Sequence, residues 1–340
     1  MNKELKFNEY FNNWLYSKDG YYSDYKTIGK EGDFFTAVST SSFFGGTIGK
    51  KIVDTINEKS LPKNTTVVEI GAHHGYLLAD MIQFIYTLKP ELLNTLTFAI
   101  VERFPHLQEQ QKKYLNECFG DAVSIKFYND ISEVKLDHAF IVANEIFDAF
   151  ACDLVYTKDD VLQHAVVKLQ DKHKIEFIDS DDEYLISQAK KYSITKGEIG
   201  IGYEEFAKTM INNIKRFEFI TFDYGDRYPR NDFSCRVYTK HEVHPIFEES
   251  ISLEALYENS DITYDVHFNR VTDIFKDAGA KEVIFKTQLQ ALVEFGIVDL
   301  LDMLKTNAGD DAYLKEVQKV KTLLEPTGMG DRFKMLQISK

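Results

Sequence analysis

Between residues 65 and 145 the chain alternates strand-like and helix-like runs, and this alternation restricts the fold more than any other feature. "TTVVEIG" reads as a strand, "YLLADMIQFIYTL" as a helix and "TFAIVE" as a strand. "PHLQEQQKKYLNECF" reads as a helix with Pro105 at its start, where a missing N–H costs little. "SIKFYND" is a further strand and "HAFIVANEIFDA" a strand running into a loop. A β-α-β-α-β order predicts a parallel sheet with helices on both faces. "FEFITFDYGD", "AKEVIFKTQ" and the terminal "RFKMLQIS" add three strands, with a helical stretch over residues 288–324 between the last two. "DVHFNRVTDIFKDAG" reads as a helix closed by Gly279.

The expected fold class is α/β: a Rossmann-like, doubly wound, mostly parallel sheet. Residues 1–63 are expected as an N-terminal helical and aromatic cover, and residues 64–340 as the core. The cover opens with "LKFNEYFNNWLYS", whose Leu5, Tyr10, Phe11, Trp14 and Leu15 recur at helical spacing. Insertions are expected at residues 152–215 and 226–262, besides the helical one at 288–324. Within the first, "LVYTKDD", "VLQHAVVKLQD" and "KIEFID" alternate with period two and predict antiparallel strands.

Composition narrows the class. Of 340 residues, 44% are hydrophobic, which allows a substantial core. The net charge of −14 opposes non-specific attraction to nucleic acid or anionic membrane. Cys118, Cys152 and Cys235 are far apart and form no CxxC, so a reducing cytoplasm is expected and a disulfide framework or structural zinc is not. No apolar run reaches the roughly 18–20 residues of a membrane span, and the first twenty residues lack the apolar stretch of a signal peptide.

The segment "VVEIGAHHGYLLAD" is the expected ligand turn. Gly71 and Gly75 permit close approach or positive φ, and Ala72 and His73 lie between them. The GxGxxG of a dinucleotide enzyme is missing, which disfavours an NAD-dependent oxidoreductase. Glu69 would repel a pyrophosphate but suits an ammonium group. Glu102, ending the next strand, can accept from both ribose hydroxyls. Asn129 or Asp130, ending the third, can meet an adenine edge. Amine, ribose and base in that order describe S-adenosylmethionine (SAM).

With those residues in place, the chain resembles the MidA-like class I SAM-dependent methyltransferases, a family that includes the mitochondrial complex I assembly-factor protein arginine methyltransferase. The resemblance covers nearly the whole chain. "GDFFTAVSTSSFFGGTIG" is similar to the family's GDF-x-T-(S/A)-P-E-x-S-x-x-F-G segment through Gly32, Asp33, Phe34, Thr36, Ser41, Phe44 and Gly45. "AIVERFPHLQEQQ", "ANEIFDAF", "FDYG", "YTKHEVHP", "DITYDVHF" and "MGDRFKMLQIS" continue it. Three departures stand out. Val38-Ser39 replaces the family's Pro-Glu pair. His73 replaces the middle glycine of E-x-G-x-G-x-G, where a side chain would crowd the methionine part of SAM. Asp265 and His267 exchange the family's His and Asp, and an extended segment would keep them on one face.

The resemblance implies a protein-arginine substrate, in a respiratory-complex subunit. "NEIFDA" then places Asn144, Glu145 and Asp148 as candidate catalytic residues, the carboxylates holding a guanidinium and Asn144 bonding SAM or orienting the acceptor nitrogen. A polar loop capping the next element is the plainer reading. His241 matches a family histidine, and a substrate-pocket role competes with a structural hydrogen bond. Its pairing with His244 as metal ligands on a helix is opposed by Pro245. Asp33 and Thr36 are the candidates for cofactor or substrate contact in the aromatic segment from Tyr21 to Phe44, which reads as a lid or as a packing arm. Adjacent His73 and His74 are poor metal partners. His73 is expected near SAM, and His74 at the surface or helix start. "FDYG" offers either a backbone approach to the pocket at Asp223 and Gly225 or a simple turn. The rival reading is a non-catalytic assembly or binding factor on a methyltransferase fold, favoured by His73 and the lost Pro-Glu pair.

Overall fold

The computed structural model describes residues 3–23, 36–239 and 242–340. The chain divides into two compact units. The larger comprises Phe35–Ile146, Phe206–Asp223 and Phe275–Lys340; the smaller comprises Met1–Phe34, Phe147–Glu205 and Tyr224–Ile274. Residues 36–63, expected in the cover, therefore cluster with the parallel sheet.

In the larger unit the strands are β1 (Thr66–Ile70), β2 (Thr97–Val101), β3 (Ile125–Tyr128), β4 (Leu136–Asn144), β5 (Ile214–Asp226), β6 (Glu282–Thr287) and β7 (Phe333–Ser339). The last three residues of β5 belong to the smaller unit. The sheet order is β6-β7-β5-β4-β1-β2-β3. Neighbours from β5 to β3 run parallel, and β6 pairs antiparallel with β7. The central strands are apolar runs buried on both faces, as a sheet covered on both sides requires: all of β1 is buried, and Ala139 to Ala143 of β4 are 0% exposed. The winding reverses between β1 and β4, so their carboxyl ends flank the switch point where doubly wound sheets bind ligands.

Helix α1 (Ser42–Asn57) packs on α2 (Tyr76–Leu88). The "FGGTIG" of α1 serves this contact: a Cβ at Gly45 would lie 2.6 Å from Asp80 Cβ, and one at Gly49 2.9 Å from the Met81 carbonyl oxygen. On α2, Leu77, Leu78, Met81, Ile82 and Ile85 recur at helical spacing and are buried, each contributing roughly 1.5–3 kcal/mol. The helix stops at Lys89, ahead of Pro90. Helix α3 (Pro105–Phe119) begins, as predicted, with proline in its first turn.

The smaller unit holds a five-stranded sheet built on Val161–Leu169, which pairs antiparallel with Lys3–Lys6, Cys152–Lys158 and His173–Asp179. Lys196–Gly200 extends it beside Cys152–Lys158. Arg236–Thr239 lies between Glu242–Pro245 and Asp261–Thr263 in a second sheet. The helix Phe7–Tyr16 buries Phe7, Tyr10, Phe11, Trp14 and Leu15, and Trp14 Nε1 donates to the Ser260 carbonyl at 2.7 Å. Two expectations are corrected here. Lys3–Lys6 is a strand, because Leu5 pairs with Val167, so the first helix begins only at Phe7. The helix expected from Asp265 begins at Phe268, because Val266 and His267 pair with Gly225 and Asp226 at the end of β5.

Candidate functional site

In the larger unit the turn after β1 takes three left-handed residues in five: Gly71 at φ +72°, His73 at φ +45° and Gly75 at φ +79°. Glycine adopts this region freely, whereas a residue with a Cβ is strained by about 1 kcal/mol or more. His73 thus holds a backbone conformation that glycine would take freely. Its ring sits 4.2 Å from that of His74, edge-on. Burial, with His74 and His106 nearby, pushes its pKa down to about 3, so the imidazole is neutral at physiological pH. His74, expected at the surface or the helix start, is 8% exposed, 5.0 Å from the Tyr76 ring and directly before Gly75, the N-cap of α2, so it lies at the helix start and is buried.

Glu69 is 3% exposed, and its Oε2 accepts from the Leu78 N–H at 3.0 Å, tying β1 to the first turn of α2. Burial is the main cause that pushes its pKa up to about 8. Glu102 lies buried at the end of β2, one oxygen accepting from the Phe104 N–H at 3.2 Å and the other from Gln111 Nε2 at 3.2 Å. Burial raises its pKa against those bonds. Gln111 also donates to the His73 carbonyl at 2.9 Å. Gln108, one turn earlier on α3, donates to the Glu102 carbonyl at 2.7 Å and to Asn129 Oδ1 at 3.0 Å. Neither glutamine has a role assigned from the sequence; the i, i+3 spacing in "LQEQQ", which faces both toward one strand end, is the signal that could have found them.

The third strand end is occupied by its own loop. The backbone N–H and side-chain amide of Asn129 both donate to Glu133, and Asp130 caps a short turn by accepting from Ser132 N–H at 2.8 Å. Ser132 is the leading cause of a lowered Asp130 pKa.

At the end of β4, Glu145 stands at φ +53° with its N–H donating to the Phe222 carbonyl of β5 at 2.8 Å. Asn144 Nδ2 donates to Glu145 Oε1 at 2.8 Å, while Asn144 Oδ1 is buried without a hydrogen-bond partner among the described residues. A strained backbone at a strand end, aiming a carboxylate, is the kind of feature that clusters at functional sites.

Thr36 caps a helical turn over Ala37–Thr40, its hydroxyl accepting from Ser39 N–H at 3.2 Å. Ser39 Oγ accepts in return from Thr36 N–H at 3.0 Å, closing a capping box. Ser39, which stands where the family has glutamate, thus closes this cap. Asp33 and His241 lie outside the described residues, as does half of the expected lid.

In the smaller unit Asp148 is 4% exposed and accepts from the Tyr224 hydroxyl in a short hydrogen bond. Burial pushes its pKa up to about 6. A Cβ at Gly225 would lie 2.1 Å from the Val266 carbonyl oxygen, so this glycine serves strand packing. Asp223 is fully buried on β5. Asp265 and His267 do not pair: Asp265 accepts from Arg236 Nη1 at 2.6 Å, and the His267 ring lies 5.1 Å from Tyr192. His244 lies on a strand and bonds Glu248 at 3.1 Å. Among the described residues no three His, Cys, Asp or Glu side chains are grouped to hold a metal ion, and no helix is long and apolar enough to cross a membrane.

Residues 47–286 match a family model described as "Putative S-adenosyl-L-methionine-dependent methyltransferase". "Protein arginine methyltransferase NDUFAF7, mitochondrial" of Xenopus tropicalis is 23% identical, over 94% of this chain and 78% of its own length. The Homo sapiens protein of that name is 22% identical, over 92% and 75%. Among solved structures, a Burkholderia thailandensis protein bound to S-adenosyl-homocysteine superposes with a TM-score of 0.86 at 21% identity, over 99% of this chain and 88% of that one. That likeness establishes the class I methyltransferase fold.

Proposed function

Because the chain belongs to this family of S-adenosyl-L-methionine-dependent methyltransferases, we propose that its acceptor is a nitrogen of a protein arginine side chain. The observation that carries this reading is Glu145, a carboxylate held in a left-handed conformation by Phe222 and Asn144 at the end of β4.

The turn and the strand ends fit the cofactor. The Glu102 carboxylate, held by the Phe104 N–H, Gln111 and the Arg103 backbone, would accept from the ribose hydroxyls. Gln111 Oε1 is buried without a partner among the described residues, a further acceptor beside Glu102. Glu69 would be the carboxylate for the cofactor's ammonium, Gly71, Ala72, His73 and Gly75 the turn beneath it, and Asn129 or Asp130 the contact to its base. When bound, SAM supplies an electrophilic methyl group on a sulfonium. Asn144 Oδ1 is an acceptor for the cofactor or for a guanidinium N–H. Glu145 and Asp148, three residues apart in the chain, are the proposed carboxylates. Facing a guanidinium, a carboxylate aims the nucleophilic nitrogen, draws positive charge toward the other nitrogens and accepts the proton released after methylation.

One ground for a non-catalytic binding factor is weakened: His73 holds a left-handed backbone of the kind that glycine adopts freely. A respiratory-complex subunit as the substrate, a cytoplasmic location in keeping with three free cysteines, and roles for Asp33, Thr36 and His241 are further parts of the proposal. The test is transfer of labelled methyl from SAM to arginine-containing peptides, with methylarginine read by mass spectrometry. Glu145→Gln is expected to lower the rate at least a hundredfold while SAM binding is kept. Labelled products lacking methylarginine would refute the arginine reading.

A further inference from the structure

Asp148 is anchored through side chains that lie far from it in sequence. Tyr224 donates its hydroxyl to Asp148 Oδ2. The Arg236 guanidinium carbon stands 4.6 Å from the Tyr224 ring centroid, and the Arg236 side chain is only 9% exposed. A cation over a ring face is most effective when desolvated like this. The guanidinium is aimed by polar contacts on one side: Nη1 donates to Asp265 Oδ1 at 2.6 Å and to the Ser234 carbonyl at 3.0 Å, and Nε donates to the Tyr238 hydroxyl at 3.0 Å. Asp265 is fixed in turn, its N–H donating to Ser234 Oγ at 2.9 Å. Arg236 Nη2 is buried without a partner among the described residues. Where the family has histidine at position 265, this chain has the carboxylate that holds Arg236.

We propose that Arg236 is a positioning residue for methyl transfer: by stacking on Tyr224 it strengthens the Tyr224 hydroxyl as a donor and holds the Asp148 carboxylate ionised and oriented for the substrate. This rests on the reading of Asp148 as a substrate contact. Positive charge over the phenol ring makes its O–H more acidic, and a stronger donor favours the charged form of its acceptor. Burial alone drives Asp148 toward its neutral form; the Tyr224 bond first, and then the Arg236 charge and the backbone N–H groups of Asp148 and Ala149, act against it. Tyr22, whose hydroxyl donates to Asp261 at 3.1 Å, also lies within electrostatic reach of Asp148. Were Arg236 there only to neutralise Asp265, its loss would cost stability without moving Asp148.

The experiment is infrared difference spectroscopy of the whole unliganded protein, wild type minus Asp148→Asn, followed through a pH titration of the carboxyl band. The wild-type midpoint is expected near about 6. Arg236→Gln and Tyr224→Phe are each expected to raise it by about one pH unit, with Arg236→Lys recovering part of the shift. A midpoint that stays put in folded Arg236→Gln overturns the proposal. If that variant fails to fold, an unmoved midpoint in Tyr224→Phe does so. The acid limb of methyl transfer is expected to move with the midpoint. If the midpoint moves but Asp148→Asn transfers methyl at the wild-type rate, the reading of Asp148 as a substrate contact fails and the Arg236–Tyr224–Asp148 coupling stands.

Discussion

The side-chain amide nitrogen of Gln111 lies 2.9 Å from the His73 carbonyl oxygen and 3.2 Å from Glu102 Oε2, so one fully buried side chain joins the glycine turn to the acid on the next strand. Two bonds from one rigidly held group fix the turn relative to the proposed ribose acceptor. Gln111→Leu leaves both oxygens without that donor, in a place where an unmet acceptor costs about 1–3 kcal/mol. The expected result is a roughly tenfold weaker dissociation constant for SAM, with a lower melting temperature. Calorimetric titration beside thermal unfolding checks this; unchanged affinity would mean that α3 does not set the turn.

His73 carries the strain of the turn. At φ +45° it pays for a conformation that glycine takes freely, and its ring is half-buried and neutral. His73→Gly is expected to preserve SAM affinity within about tenfold and to stabilise the protein by on the order of 1 kcal/mol. The gain grows as pH falls. The folded-state pKa of His73 lies below its unfolded value, so the unfolded chain binds the extra proton from about 6.5 down to about 3. Thermal melts at pH 5 and pH 7.5 read the difference. Collapse of the variant's SAM binding would show that the imidazole is part of the ligand site.

Glu69 has the opposite sign. Its folded pKa is raised from 4.5 to about 8, so the folded protein holds a proton that the unfolded chain releases, and stability is lost as pH rises through that window. Glu69→Gln removes the loss. Relative to wild type its melting temperature should be closest at pH 5 and higher by pH 8. The same change should weaken SAM, because an ammonium favours the ionised carboxylate. Wild-type binding at pH 7 is therefore expected to release close to one proton, measurable by calorimetry in buffers of different ionisation enthalpy. Proton-neutral binding would remove Glu69 from the ammonium site.

Much of this architecture was legible because hydrophobic periodicity is local. Residues 65 to 145 announce their strands, helices and glycine turn in sequence order, and the acids ending β1 and β2 fall where that order predicts. What escaped depends on partners far along the chain. Lys3–Lys6 looks helical until Val161–Leu169 offers it an edge to pair with. The bonds that Gln108, Glu133 and Ser132 make to Asn129 and Asp130 are likewise not legible from the strand end alone. The apparent exchange of Asp265 and His267 suggested a preserved pair; instead Arg236 captures Asp265. Arg236 carries no local motif, and Tyr224, although it stands inside "FDYG", gives no local hint of its partner: its link to Asp148 spans 76 residues at the hydrogen bond.

The central claim is that the histidine-bearing turn and Glu102 still form a working SAM site. The most direct measurement is calorimetric titration of the protein with SAM and S-adenosylhomocysteine, beside Glu102→Ala. Glu102 is buried at its strand end, so losing its paired acceptors should cost several kcal/mol of binding, roughly a hundredfold or more in affinity. Micromolar binding of both ligands that collapses in Glu102→Ala is the predicted result. Absence of binding in the wild-type protein, or equal binding in the variant, would contradict it.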